Sequence, residues 1–353
     1  MSVSPFDHPL LSGLLGDEEI APFFSAEAEI AEMIRFEAEL AAAEGAEGLI
    51  PRDSAEYIVE QLPDFVPIID KIRIATARDG TIGVEFVRQL REWLGPPYDR
   101  HVHFGSTSQD LVDTALVVRL RSVLAILRDR LNALRAKLGA LDRQFGTQKL
   151  VARTRMQDAV PITVSAKLAT WQGPLQRDLA RLDELLPRLM VLQFGGAAGT
   201  LDKLGDKGGV VSNRLASVLG LGVPSQSWHT QRDNIVELAG WLSLVSCSLG
   251  KIGADIALMA QNRVGEIQLE GGGGSSAMPH KQNPIAAEVL VALARYNATL
   301  VSGMHEALVH EQERSGSAWT LEWLILPQMA MTTAASLRTA NTLLGQIIRI
   351  GRE

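Results

Sequence analysis

Eight leucines, Leu116, Leu120, Leu124, Leu127, Leu131, Leu134, Leu138 and Leu141, recur at steps of three and four. That spacing puts all of them on one stripe of an α-helix, so the segment predicts a single continuous helix. A second stripe runs Leu238, Leu242, Val245, Leu249, Ile252, Ile256 and Met259, and a third runs Val289, Leu293, Tyr296, Leu300, Met304 and Leu308. A fourth helix is expected from after Pro161 to about Leu189, and a fifth from about Leu321 to Ile348. At ~1.5 Å per residue these helices reach on the order of 40 to 50 Å. Narrow stripes of such length need helical partners along their whole course. The fold class expected is therefore all-α, a long-helix bundle completed by other copies of the chain. No alternating strand run and no internal repeat is read.

Residues 1–105 are more broken, with GLIPRD and GPPYDRHVHFG as interruptions, and predict a smaller helical cap. Residues 106–353 carry the bundle. Within the cap, SAEAEIAEMIRFEAELAAAEG predicts a helix ending at Gly45 with Met33, Phe36 and Leu40 inward. Hydrophobic residues at 46% and charged residues at 21% permit a large core and exclude global disorder. A net charge of −7, with no basic run, excludes the electrostatic footprint that holds a nucleic-acid backbone. The only cysteine, Cys247, lies in the apolar run WLSLVSCSLG, reads as a core residue and cannot close an internal disulfide. The N-terminus has no basic region ahead of an apolar run, as a signal peptide would. No apolar run of about 18 to 20 residues is read, so the expectation is a soluble, cytoplasmic protein without membrane contact.

Polar residues that helix packing does not need collect in the loops. HVHFGSTSQDLVDTA precedes the leucine helix. There Thr107 and Asp110 have the spacing of a capping box, while Thr107, Ser108 and the free N–H groups of the helix start also suit a substrate carboxylate, with His103 nearby as donor or proton carrier. ARTRMQDAVPIT places Thr154 and Gln157 in the same capping spacing. Its Arg153 and Arg155 are either solvated or suited to bidentate carboxylate binding. SWHTQRDNIVELAG sets Trp228 and His229 before a helix starting at Asp233 or Asn234, as a hydrophobic staple or as part of a site. HEQERSGSAWTLEW brings Arg314 beside Trp319, either as a surface turn or as a grip for a flat anion.

The stretch GGGGSSAMPHKQNP, 271–284, joins a tract of glycines to a proline-framed lysine. The glycines must be mobile or held by what they close upon. The order G-x-x-x-x-G-K-[ST] and a preceding strand are both missing, which argues against a phosphate loop. Asn283 and Pro284 fit an N-cap and first helical position for the third stripe, so the loop delivers Ser275, Ser276 and Lys281 to a positive helix end.

GSSAMPHKQNP resembles the signature loop of the fumarase and aspartase superfamily. HFGSTSQDLVDTA and GGAAGT (195–200) are similar to regions of its adenylosuccinate lyase branch, in the family's order. The resemblance implies a homotetramer with a central twenty-helix core, in which loops of three subunits build each active site. It also implies Ser275 as the catalytic base, substrate contacts by Lys281 and Asn283, and carboxylate binding by Thr107 and Ser108. Two departures stand out. The second region reads TRMQ, with Arg155 where the lyases carry a histidine acid, and Trp228 stands where they carry a glutamine. With WHTQRDNI and HEQERSGSAWTLEW, these departures look like the 3-carboxy-cis,cis-muconate cycloisomerase branch, the lactonizing enzymes of protocatechuate degradation. The alternatives are adenylosuccinate-type β-elimination and a non-catalytic helical oligomer. On the resemblance, the C-terminal domain common in lyases is shortened or missing.

For lactonization of a small tricarboxylate, Ser275, Arg155 and His103 are the catalytic candidates. Thr107, Ser108, Thr154, Gln157, Trp228, Lys281, Asn283 and Arg314 are the substrate-binding ones. Lys281, Arg155 and Arg314 would meet charge that grows in the transition state. The chemistry calls for no cofactor. The seven histidines show no H-x-x-x-H or carboxylate-rich metal set.

Overall fold

The computed structural model describes residues 3–274, 276–278 and 281–352. Five helices form the N-terminal part: α1 (Ser12–Leu15), α2 (Ala26–Ala46), α3 (Arg52–Gln61), α4 (Ile69–Asp79) and α5 (Gly83–Leu94). Ser25 caps α2 by accepting the Ala28 N–H at 3.2 Å. Met33, Phe36 and Leu40 are buried on its inner face as expected.

The leucine stripe lies in α6 (Ser108–Phe145), a continuous helix of 38 residues. Leu116 is half-buried and the other seven leucines are buried. The bundle continues with α7 (Val164–Leu189), α8 (Gly208–Leu219), α9 (Asp233–Met259), α10 (Ile285–Glu306) and α11 (Gly316–Gly345). Helix α9 is central and packs against α7, α10 and α11, with every residue of the second stripe buried.

The third stripe is only half the story of α10. Val289, Leu293 and Met304 are buried, but Tyr296, Leu300 and Leu308 are half-buried. The face of α10 that meets α9 is instead Ala287, Leu290, Ala294 and Asn297, all buried. Glycines on α9 make that approach possible. A Cβ at Gly250 would come 2.5 Å from the Ala294 Cβ, and one at Gly253 would come 2.5 Å from the Ala287 carbonyl oxygen. A stripe of large apolar residues therefore misses the closest helix contact, because the small residues that allow it carry little hydrophobic signal.

Other expectations need correction. Two small sheets exist. Strands β1 (Lys149–Thr154) and β2 (Gln157–Thr163) form a hairpin, and β3 (Ile267–Leu269) pairs antiparallel with β4 (Ile347–Ile350). The hairpin is too exposed to show alternation, and β3 and β4 are too short. Thr154 and Gln157 do not form a cap but face each other across the hairpin turn, and α7 is capped by Thr163, whose Oγ1 accepts the Ala166 N–H. Pro284 occupies the N-cap of α10, one residue later than expected, and Asn283 exchanges backbone hydrogen bonds with Gly273. Helix α11 starts at Gly316 rather than Leu321, because the Ser315 hydroxyl accepts the Ala318 N–H and caps it there. Cys247 is exposed on α9, not in the core. Finally, α9 and α10 are long and apolar enough to cross a membrane by length and composition. In this fold half of that stretch of α9 is buried, against α7, α10 and α11.

The helix directions divide the molecule into two ends. Helix α9 begins beside the start of α6, where Arg232 pairs with Asp113. Beyond the other end of α9, Glu266 meets Arg153, which follows α6. The two helices thus run parallel. Helix α10 returns, and α11 starts again at Arg232 through Glu322. With 27 residues in α9, the near end, at the starts of α6, α9 and α11, lies about 40 Å from the far end.

Candidate active site

At the near end, Asp110 is fully buried in the first turn of α6. Its carboxylate accepts the Thr107 N–H at 3.0 Å, completing the capping box, and the N–H groups of Gly195 and Gly196 at 2.8 and 2.9 Å. It also accepts the Gln193 amide at 3.2 Å and meets His229 Nε2 at 2.8 Å. One carboxylate therefore ties together the helix start, the glycine turn and the loop before α9. The turn fits directly on the first loop: a Cβ at Gly196, whose φ is 68°, would lie 2.7 Å from the Gly105 carbonyl oxygen.

One turn further along, Asp113 receives Arg232 through two hydrogen bonds of 2.5 and 3.2 Å, and the Trp319 indole N–H at 3.0 Å. The same guanidinium forks onto Glu322 at 2.8 and 2.5 Å. All three charged groups are buried. Burial alone would pull the Arg232 pKa down, but Asp113 and Glu322 outweigh it and raise it. Burial likewise pushes Glu322 up, and Arg232 reverses this, leaving its carboxyl below the usual range. Trp228 is buried under this arginine, its ring centroid 4.7 Å from the guanidinium carbon, and its indole donates to the Leu192 carbonyl at 3.0 Å. The structure thus places Trp228 beneath Arg232 and not on an open wall.

Arg314 is exposed at the rim of this knot. Its Nε donates to Gln109 Oε1 at 3.1 Å, and a terminal nitrogen donates to the Ala197 carbonyl, also at 3.1 Å. Gln109 is buried and anchored by its own donations to Asp113 and the His229 carbonyl. The guanidinium is therefore aimed by a buried amide beside Thr107 and Ser108.

His103 takes a left-handed backbone, φ 57°, and its Nδ1 lies 2.5 Å from the buried Glu37 of α2. Two turns along the same helix, burial and the neighbouring Glu37 charge push Glu44 up to about 9, so it is protonated at neutral pH. The imidazole is held on Nδ1, and Nε2 has no hydrogen-bond partner among the described residues.

The far end carries the remaining candidates. Arg155 stands at the tip of the β1–β2 hairpin with Met156, both left-handed, with φ 48° and 67°. Arg153 is committed to structure, bonded to buried Glu266 at 2.5 Å and to Asp158 at 3.0 Å. Arg155 is exposed and has no such partner among the described residues. Thr154 and Gln157 flank it, exposed. Lys281 and Asn283 line a cavity of about 920 Å³ between the end of α9, β3 and the segment leading into α10. Ser275 lies outside the described residues.

One chain thus gathers His103, Thr107, Ser108, Trp228 and Arg314 at one end and Thr154, Arg155, Gln157, Lys281 and Asn283 at the other. Sequence reasoning missed Gln109, Asp113, Arg232, Glu322 and Glu37, and read Asp110 only as a cap. The available signal was a pair of acids, Asp110 and Asp113, spaced i, i+3 on the apolar face of a helix, where an unpaired charge does not survive.

Long packed helices, small flanking sheets and polar loops at both bundle ends define an all-α bundle protein. The chain belongs to the lyase family, whose model matches residues 21–296, and has the all-α fold of the fumarase and aspartase superfamily. It is 36% identical over 345 residues to 3-carboxy-cis,cis-muconate cycloisomerase of Acinetobacter baylyi, covering 95% of this chain and 76% of the relative. It is 41% identical over 329 residues to the cycloisomerase of Pseudomonas aeruginosa, covering 91% and 71%. The crystal structure of the 3-carboxy-cis,cis-muconate lactonizing enzyme from Pseudomonas putida superposes with a TM-score of 0.90 at 38% identity, covering 96% of this chain and 77% of that one.

Proposed function

We propose that this chain lactonizes 3-carboxy-cis,cis-muconate to 4-carboxymuconolactone. The observation that carries the reading is the match to cycloisomerases over more than nine tenths of the chain. Two chemical features agree with it: a hairpin arginine replaces the histidine acid of the lyases, and Trp228 replaces their glutamine.

The reaction forms a C–O bond between a carboxylate oxygen of the substrate and a carbon of its conjugated double bond. The π electron pair moves to the carbon beside another carboxylate, giving an aci-carboxylate, and a proton then closes the step. The nucleophile is already ionised and no leaving group departs, so the acid of an elimination site has no task. What remains is to fold a trianion, stabilise the growing charge and deliver one proton. At the near end, the N-terminus of α6 with Thr107 and Ser108 offers N–H and O–H donors to a carboxylate, and Arg314 adds a cation held by Gln109. At the far end Lys281 and Arg155 supply charge, and Ser275 is assigned the proton transfer. His103, held by Glu37, is a second donor.

Because these groups sit at opposite ends of one chain, a working site requires other copies, and we assign a homotetramer in which loops of three subunits build each site. The apolar α10, with only 33% of its most apolar window buried within the chain, supports such packing. We place the enzyme in the cytoplasm, acting on a small tricarboxylate without a cofactor, nucleic acid or membrane.

The test is the loss of the conjugated ultraviolet absorbance of 3-carboxymuconate. Wild type should consume the diene, and Ser275→Ala should abolish turnover with assembly intact. A wild-type protein inert on the diene but cleaving adenylosuccinate would overturn the reading.

A further inference from the structure

Three arginines converge on the tight turn that follows α9, and they behave differently. Arg349 donates to the Gly265 carbonyl at 2.8 Å and Arg352 to the Val264 carbonyl at 3.0 Å. Arg263, inside the turn, makes no side-chain hydrogen bond or ion pair among the described residues. Its backbone is nevertheless fixed. The N–H groups of Val264 and Gly265 both donate to the Gln261 carbonyl at 2.8 Å, Gly265 adopts φ 56°, and β3 begins two residues later, paired with β4.

The Arg263 side chain lines the same 920 Å³ cavity as Lys281. Lys281 likewise has no side-chain partner among the described residues. Gln261, Asn262 and Gln268 face this cavity, and among the described residues Glu288 is the only carboxylate on its wall. A wall of two unpaired cations and neutral amides, with one acid, favours an anion with more than one negative group. An arginine on a clamped turn loses little freedom when it grips one.

We infer that Arg263 is a specificity-determining residue that binds one carboxylate of the substrate beside Lys281. The inference deepens the tricarboxylate reading of this site and rests on it for the substrate class. A planar fork suits a carboxylate bidentately, while the lysine acts as a point charge, so the two cations take different carboxylates. Loss of Arg263 should therefore weaken recognition of a tricarboxylate more than it slows the chemistry.

The experiment uses the full chain and two variants, Arg263→Gln and Arg263→Lys, with thermal melting as a check on folding. Two readouts run together: diene consumption with 3-carboxymuconate, and calorimetric binding of propane-1,2,3-tricarboxylate, which cannot lactonize. Arg263→Gln should raise KM by roughly tenfold or more, with a smaller change in kcat, and weaken tricarboxylate binding to a similar degree, while Arg263→Lys recovers part of both. If Arg263→Gln leaves KM and tricarboxylate binding within twofold of wild type, the inference is wrong although the lactonization reading stands. If wild type consumes no diene, that reading falls. The inference then survives only if tricarboxylate binding is still lost in Arg263→Gln, and it falls too if binding is unchanged.

Discussion

The two ends of the bundle use charge in opposite ways. At the near end, Asp110, Asp113, Arg232 and Glu322 are all buried and all paired, and they hold the starts of α6, α9 and α11 together. At the far end, Arg155, Arg263 and Lys281 are exposed and have no protein partner among the described residues. A buried charge must be neutralised by its own fold, so it reports on the scaffold. A cation held in place without a partner is available to a ligand. The contrast separates charges spent on the scaffold from charges left open to solvent, although both kinds lie at loop–helix junctions.

That contrast can be broken by mutation, starting where the effect should be largest. Arg232→Met leaves Asp113 and Glu322 buried without a counter-charge and should cost about 3 to 5 kcal/mol, read from urea unfolding. A loss under 1 kcal/mol would show that the knot is not structural.

Glu44 tests the same end with the opposite sign. Its carboxyl rises from 4.5 in the unfolded chain to about 9 in the fold. The folded state therefore holds the proton more tightly, the contribution is complete below about pH 4.5, and stability is lost as pH rises towards 9. Glu44→Gln should stabilise the protein by on the order of 2 to 3 kcal/mol near pH 7 and flatten the fall of Tm between pH 5 and 9. An unchanged pH slope would contradict this.

A smaller loss is expected at the far end from Arg153→Gln. It strips buried Glu266 of its cation but leaves the Val151 N–H donating to it at 3.2 Å, for about 1 to 3 kcal/mol of destabilisation. The smallest change in stability belongs to its neighbour. Arg155→Gln should alter unfolding by no more than about 0.5 kcal/mol while kcat/KM on the diene drops by roughly 100-fold. Equal stability losses for the two arginines would erase the distinction drawn between them.

Much of the architecture was legible from periodicity. Leu120 to Leu141 and Leu238 to Met259 lie buried where a three-four stripe puts them, because a helix of that length has only one way to hide such residues. Thr107 and Asp110 showed a cap, and the cap exists. The fuller role of Asp110 was hidden, since four of its partners, Gln193, Gly195, Gly196 and His229, lie more than 80 residues away. The hairpin around Arg155 escaped notice because β2 is exposed at six of its seven residues and β1 at three of its six, so neither carries an inward-outward alternation. The α9–α10 contact escaped because glycine and alanine are silent in a pattern of large side chains.

By itself the sequence determined the long helices, their apolar faces, the polar character of the connecting loops and the family to which they belong. The helices, their faces and the loop polarity are local properties, set by spacing along the chain, while the family showed only in the resemblance of its motifs. Only the tertiary structure decided that α6 and α9 run parallel, that Trp228 lies under Arg232, that of two nearby arginines Arg153 is spent on Glu266 and Arg155 is not, and that Arg314 and Lys281 stand at opposite ends of one chain, about 40 Å apart. Those outcomes depend on which distant groups the fold brings against one another, and no spacing within a segment records that.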